Sequence, residues 1–207
     1  MKTLLIATTN PAKFAEYRLL LRDFGLALVS LRDVGISNEA PEHGATFADN
    51  ARIKAAHYFV YSGLPTLADD GGLEVDALGG APGVESHRWL DGLPNVDDRM
   101  LAEEIVRRMA GVAPPRRTAR LHAAAAIVYL DHGVVREELA QAALEGIVAE
   151  RCYSEVREGF PYRSVLYLPD RGCYLAELGE EEAARLSQRR IAIEKLAATL
   201  KRIAAGG

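Results

Sequence analysis

The sequence predicts an α/β fold: a mixed twisted sheet with flanking helices. Three observations predict it. Strand-length apolar runs alternate with helical periodicities in the first third of the chain. Two long segments in the middle flank the turn Asp131-His132-Gly133, as a β-hairpin would. And 49% of the 207 residues are hydrophobic, enough to bury a core as one large domain or a two-lobed one.

The elements follow in order. Leu4 to Ala7 is a continuous apolar run, read as a buried strand; it stops at Thr8, well short of a signal-peptide core or a membrane span. Pro11 suits a first helical turn with Asn10 at the cap, and Phe14, Tyr17, Leu20 and Leu21 share one side of the helix. Leu26 to Ser30 is a second strand, and Leu31 to Ala45 a loop carrying Glu42. Thr46 to Asp49 has the form of a capping box with Asp in the Glu position, opening a helix to about Tyr61. On it Asn50, Lys54 and His57 fall on one polar face, so Lys54 can point where Asn50 points.

Thr66 to Ala68 then reads as a short buried strand entering an acidic turn, Asp69-Asp70-Gly71-Gly72, and Leu73, Val75 and Ala77 alternate with acids as the next strand. Asp97 to Met109 reads as a helix closed by Gly111. Thr118 to Tyr129 and Val134 to Val148 form the hairpin, although the run Ala123 to Ala126 has low β propensity. The apolar run Val165 to Leu168 follows, and an amphipathic helix from Ser187 to Ile203 closes the chain.

The charge balance excludes some functions. With 29 acidic and 25 basic side chains, a formal net charge of −4, the chain has no long-range attraction for polyanions, so nucleic-acid coating is not expected. Phosphate binding must come from a few placed cations and backbone N–H groups. Cys152 and Cys173 suggest neither a disulfide framework nor a zinc site; a reducing, cytoplasmic setting without membrane attachment is the expectation.

Three constellations carry chemistry. Thr8-Thr9-Asn10 with Lys13 at a strand-to-helix turn can hold phosphate oxygens, though an ordinary N-cap and a surface lysine is the simpler account of that segment alone. Asp69 and Asp70, with Glu42 from a separate loop, are hard oxygen ligands of the kind Mg²⁺ takes alongside substrate phosphates. One aspartate can bind metal or orient water while its neighbour accepts the proton; a bare Asp-Asp-Gly is more often a solvated turn. Phe160 and Tyr162 can stack on a base, and Gln188 and Arg189 can read its edge, but an aromatic core loop and a Ser-capped helix explain these segments equally well. There is no Gly-x-Ser-x-Gly elbow and no His-Glu-x-x-His.

In order along nearly the whole chain, these segments resemble the inosine triphosphate pyrophosphatase family, which hydrolyses non-standard purine triphosphates such as ITP, dITP and XTP. The resemblance rests on Ala7-Thr8-Thr9-Asn10-x-x-Lys13-x-x-Glu16, on Glu42-x-Gly44-x-Thr46-Phe47-x-Asp49-Asn50-Ala51-x-x-Lys54-Ala55, on Ala68-Asp69-Asp70-x-Gly72-Leu73 through Val84, and on Ser86-x-Arg88 and Ala176-Glu177-Leu178. It implies one two-lobed domain over residues 1–207 around a central substrate cleft, assembled as a homodimer. It also implies Mg²⁺-dependent conversion of a nucleoside triphosphate and water to the monophosphate and pyrophosphate. By resemblance, Asp70 is the proton acceptor and metal-associated carboxylate, Glu42 a magnesium ligand and Asp69 their support, while Thr8, Asn10, Lys13 and Lys54 meet the phosphates.

The departures from the family pattern gather at the nucleobase end. Gly71 stands for a serine, Arg163 for the aspartate of Gly-Phe-Gly-Tyr-Asp-Pro, Gln188 for the histidine of Ser-His-Arg, and Ala183 for a lysine. They mark a divergent member with relaxed or shifted base preference. Binding without turnover, and action on modified pyrimidine triphosphates, are the alternatives.

Overall fold

The computed structural model describes residues 1–90, 93 and 96–206. They divide into two compact units: Met1–Asp70 with Ala123–Ala142 and the chain from Gln188 on, and Gly71–His122 with Ala143–Ser187.

The first unit is built on three parallel strands in the order β2 (Leu26–Ser30), β1 (Lys2–Ile6) and β3 (Thr66–Asp70). Against β3 runs antiparallel β5 (Thr118–Asp131), with Asp69 opposite Ala125 and Asp70 opposite Ala124. Next to it lies β6 (Val134–Val148), reached through His132 and Gly133, both at positive φ as a two-residue hairpin turn requires.

Strand side chains alternate between faces, and the core follows that period. Leu4, Ile6, Leu67, Ala125 and Ile127 pack with Tyr17 and Leu21 of the α1 region (Pro11–Leu20) and with Ala192, Ile193, Leu200 and Ile203 of α5 (Gln188–Lys195) and α6 (Ala197–Ala205). Helix α2 (Phe47–Ser62) packs on β3, with Ala51, Ala55 and Tyr58 buried.

In the second unit β4 (Leu73–Val75) pairs with the start of β5, and β7 (Leu166–Leu168) lies between the end of β6 and β8 (Cys173–Tyr174). Helix α3 (Asp98–Arg108), capped by Asp97, buries Leu101, Ala102 and Ile105, and α4 (Glu180–Leu186) buries Ala183 and Ala184.

Most predicted elements are present, with three corrections. Asp69 and Asp70 are the last two residues of β3 rather than a turn after it. The strand expected through Ala77 ends at Val75, where a 3-10 turn over Asp76–Leu78 leaves Ala77 exposed. The single C-terminal helix is broken at Leu196, whose N–H is shared between the carbonyls of Ala192 and Ile193; Ile191, expected in the apolar stripe, is 38% exposed. Among the described residues no helix is long and apolar enough to cross a membrane.

Candidate active site

Because Asp69 and Asp70 are consecutive strand residues, the pleat sends their side chains to opposite faces of the sheet. Asp69 shares the face of Leu67 and meets α1 and α5; Asp70 shares the face of Ala68 and meets α2. The alanines opposite them, Ala125 and Ala124, are small and fully covered, leaving room beside each carboxylate. Ala124 and Ala125, two of the alanines that weakened the strand reading, are thus accounted for by the volume needed next to the acids.

On the Asp69 face, one carboxylate oxygen, Oδ2, is 3.2 Å from Lys13 Nζ and accepts from Arg189 Nε at 2.9 Å; Arg189 Nη1 also donates to Glu16 Oε2 at 3.3 Å. Asp69 and Arg189 side chains are 0% and 5% exposed. Burial alone would raise the Asp69 carboxyl, but the charges of Lys13, Arg189 and Lys54 outweigh it and hold it well below the usual carboxylate range. Lys13 goes the other way: burial, helped by Arg189 and Lys54, lowers its ammonium pKa despite the attraction of Asp69. Its position follows from the cap, since Asn10 Oδ1 accepts from the N–H groups of Ala12 and Lys13 at 2.9 and 3.1 Å and Pro11 occupies the first helical position. Thr8 Oγ1 accepts from Asn10 N–H at 3.1 Å, and Thr9 is exposed.

On the Asp70 face, Lys54 Nζ lies 2.9 Å from Asp70 Oδ1 and 3.2 Å from Glu42 Oε1, and Asn50 Nδ2 donates to Asp70 Oδ2 at 3.2 Å. Burial opposes the Lys54 charge, yet Asp70, Asp69 and Glu42 together raise its pKa. Asn50 and Lys54, one helical turn apart, meet the same carboxylate as their spacing allows. Asn50 is fully buried, and its Oδ1 accepts from the Gly44 N–H at 2.8 Å. A Cβ on Gly44 would come within 2.6 Å of Asp49 Cβ, so glycine lets the loop approach the helix this closely.

In the second unit, Gly71 is buried, and at Gly72 a Cβ would come within 2.0 Å of Ser86 Oγ, which instead accepts from Leu73 N–H at 3.1 Å. The Arg163 guanidinium stacks 3.9 Å over the Phe160 ring. Tyr162 is 4% exposed within the core, its hydroxyl donating to the Ser86 carbonyl.

The structure brings Lys13 to Asp69, and Glu42 and Lys54 to Asp70. It gives two residues different settings from those expected. Arg189, read as a base-edge contact, is committed to Asp69 and Glu16; Tyr162, read as a stacking platform, is a core residue. Gln188 is 4% exposed, and Ala183, at the missing lysine's position, is core. Sequence reasoning gave no role to Glu16 and placed Asn50 only as a neighbour of Lys54. The signal for both was the shared helix face: Glu16 lies three residues after Lys13 and Asn50 four before Lys54.

A divalent cation fits this donor set. Glu42 and Asp70 already converge on one cationic group, the Lys54 ammonium. Among the described residues no cluster of three or more His, Cys, Asp or Glu could hold a metal, so two carboxylates would hold the ion with phosphate oxygens and water completing its shell, as Mg²⁺ prefers.

The chain is similar to known proteins over nearly its whole length. The chain is 36% identical over 202 residues to a dITP/XTP pyrophosphatase of Photorhabdus laumondii, covering 97% of this chain and 99% of that one. It is 39% identical over 196 residues to one of Geobacillus kaustophilus, covering 95% and 93%. A HAM1 protein from Coxiella burnetii superposes with a TM-score of 0.82 at 30% identity over 98% of this chain and all of that one. A dITP/XTP pyrophosphatase from Mycobacterium abscessus gives 0.71 at 34% over 94% and 98%. With the Ham1 family model matching residues 4–199 as well, the chain belongs to the Ham1 family.

Proposed function

We propose that this protein is a nucleoside-triphosphate pyrophosphatase that converts non-standard purine triphosphates, the dITP and XTP class named for its relatives, to the monophosphate and pyrophosphate with Mg²⁺. The observation that carries the reading is Lys54 held between Glu42 and Asp70 at 3.2 and 2.9 Å, with Lys13 buried nearby against Asp69.

When bound by Glu42 and Asp70, the cation supplies charge neutralisation for the triphosphate. The chain's own residues do the rest. Lys54, kept charged by its carboxylates, and Lys13, whose ammonium is short of compensating negative charge, attract phosphate oxygens; an incoming polyanion restores what burial costs Lys13. Asp69 stays ionised and anchors Lys13 and Arg189. Asp70 takes the proton of the attacking water, the α–β anhydride breaks, and pyrophosphate leaves. Thr8, Thr9 and Asn10 line the turn beside Lys13, and the residues that depart from the family pattern, Gly71, Arg163 and Gln188, broaden base selection. The enzyme works as a homodimer, which light scattering should show as twice the mass of one chain.

The test is Mg²⁺-dependent pyrophosphate release from ITP, dITP, XTP, dUTP and the four common triphosphates. ITP, dITP and XTP should be the best substrates; release from none of the panel overturns the reading.

A further inference from the structure

The carboxylate of Glu42 sits on a segment with no buried apolar anchor: from Ser37 to Ala45 every residue is exposed except Ala40 and Gly44, which are half-buried. What holds it against α2 is a row of polar contacts. Asn38 Nδ2 is 2.7 Å from His57 Nε2, the Ala40 N–H donates to the Tyr58 hydroxyl at 3.1 Å, and the Gly44 N–H donates to Asn50 Oδ1 at 2.8 Å. Glu42 lies between the last two, and its contact with Lys54 closes the row. Tyr58 is 3% exposed, so its hydroxyl is a fixed point; His57 is flanked by Tyr58 and Tyr61, with ring centroids 5.0 and 4.8 Å away.

We propose that Tyr58 and Asn38, through Ala40 and His57, are positioning residues that latch the 37–45 segment onto α2 and so set where Glu42 stands relative to Asp70. The inference rests on the proposed magnesium-dependent reaction, in which Glu42 and Asp70 act as a pair. A buried hydroxyl that fixes one backbone N–H two residues from Glu42 restrains the carboxylate without touching metal or substrate. A latch made of such polar contacts can open, since each hydrogen bond contributes little on its own.

Two readouts test it on the full chain. In the magnesium-free protein, Tyr58→Phe keeps the ring and removes the hydroxyl; amide exchange at Ala40 and its neighbours should quicken about fivefold, the effect of one net hydrogen bond, with β3 unchanged. In pyrophosphate release, the Mg²⁺ concentration for half-maximal rate should rise about fivefold while kcat at saturating Mg²⁺ holds within about twofold. Asn38→Ala, an exposed position that cannot unfold the core, should shift both readouts the same way, and Tyr61→Phe should shift neither. Unchanged exchange in Tyr58→Phe and Asn38→Ala overturns the latch, as does a fall in kcat at every Mg²⁺ concentration with half-saturation unmoved. If wild type releases no pyrophosphate, the proposed function fails, and the exchange arm still decides the latch.

Discussion

At the scale of single residues, the two aspartates have different physical tasks although they are neighbours in sequence. Asp69 is enclosed with Lys13 and Arg189 on one oxygen, and its folded-state pKa is held below the unfolded value. The stability it contributes is therefore complete above about pH 4 and is lost only as pH falls through the lower folded value. Acid unfolding followed by circular dichroism should show this loss below about pH 4, and Asp69→Asn should remove that part of the slope. Lys13 has linkage of the same sign, in the alkaline window. Its lowered pKa means that the folded chain gives up this proton before the unfolded chain does, so stability rises with pH between the two values. The same titration weakens phosphate binding, so KM should climb on the alkaline side at a pH below that of an ordinary lysine. Lys13→Arg, which stays charged, should push that limb upward. The identities of these residues were legible in sequence. That Arg189 serves Asp69 and Glu16 was not, because 120 positions separate Arg189 from Asp69.

At the scale of elements, local chemistry sets the geometry of the site. Asn10 and Thr46 cap the two helices that carry Lys13 and Lys54, with Thr46 Oγ1 accepting from Asp49 N–H at 3.1 Å. Thr46→Ala should lower stability by about 1 kcal/mol in urea denaturation, the usual worth of such a cap. Gly72→Ala should do worse, because a Cβ there meets Ser86 Oγ at 2.0 Å; a loss of about 1–3 kcal/mol is expected from that overpacking. Caps, hairpin turn and strands were readable because their signals are local. The end of β3 was not: Asp69 and Asp70 are poor strand formers, kept in register by Ala125 and Ala124 across the sheet. The break at Leu196 had no signal either, since neither glycine nor proline marks it and the apolar spacing of Ile193, Leu196, Leu200 and Ile203 runs on through it.

At the scale of the whole molecule, the central claim is that one strand end divides the work between two adjacent carboxylates: Asp69 anchors a buried cationic pair, and Asp70 does the proton chemistry among Glu42, Lys54 and Asn50. The mixed α/β class followed from the alternation of strands and helices, but the opposite facing of the two acids needed the extra strand residues that only the structure supplied. The most direct measurement compares Asp69→Asn and Asp70→Asn for urea stability and for pyrophosphate release. Asp70→Asn should lose less stability than Asp69→Asn, since Lys54 keeps Glu42, while losing about 10²–10⁴-fold in kcat. Asp69→Asn should lose about 3–5 kcal/mol, because Lys13 and Arg189 are left buried without their shared carboxylate. An Asp70→Asn variant with wild-type turnover, or an Asp69→Asn variant as stable as wild type, would contradict the account.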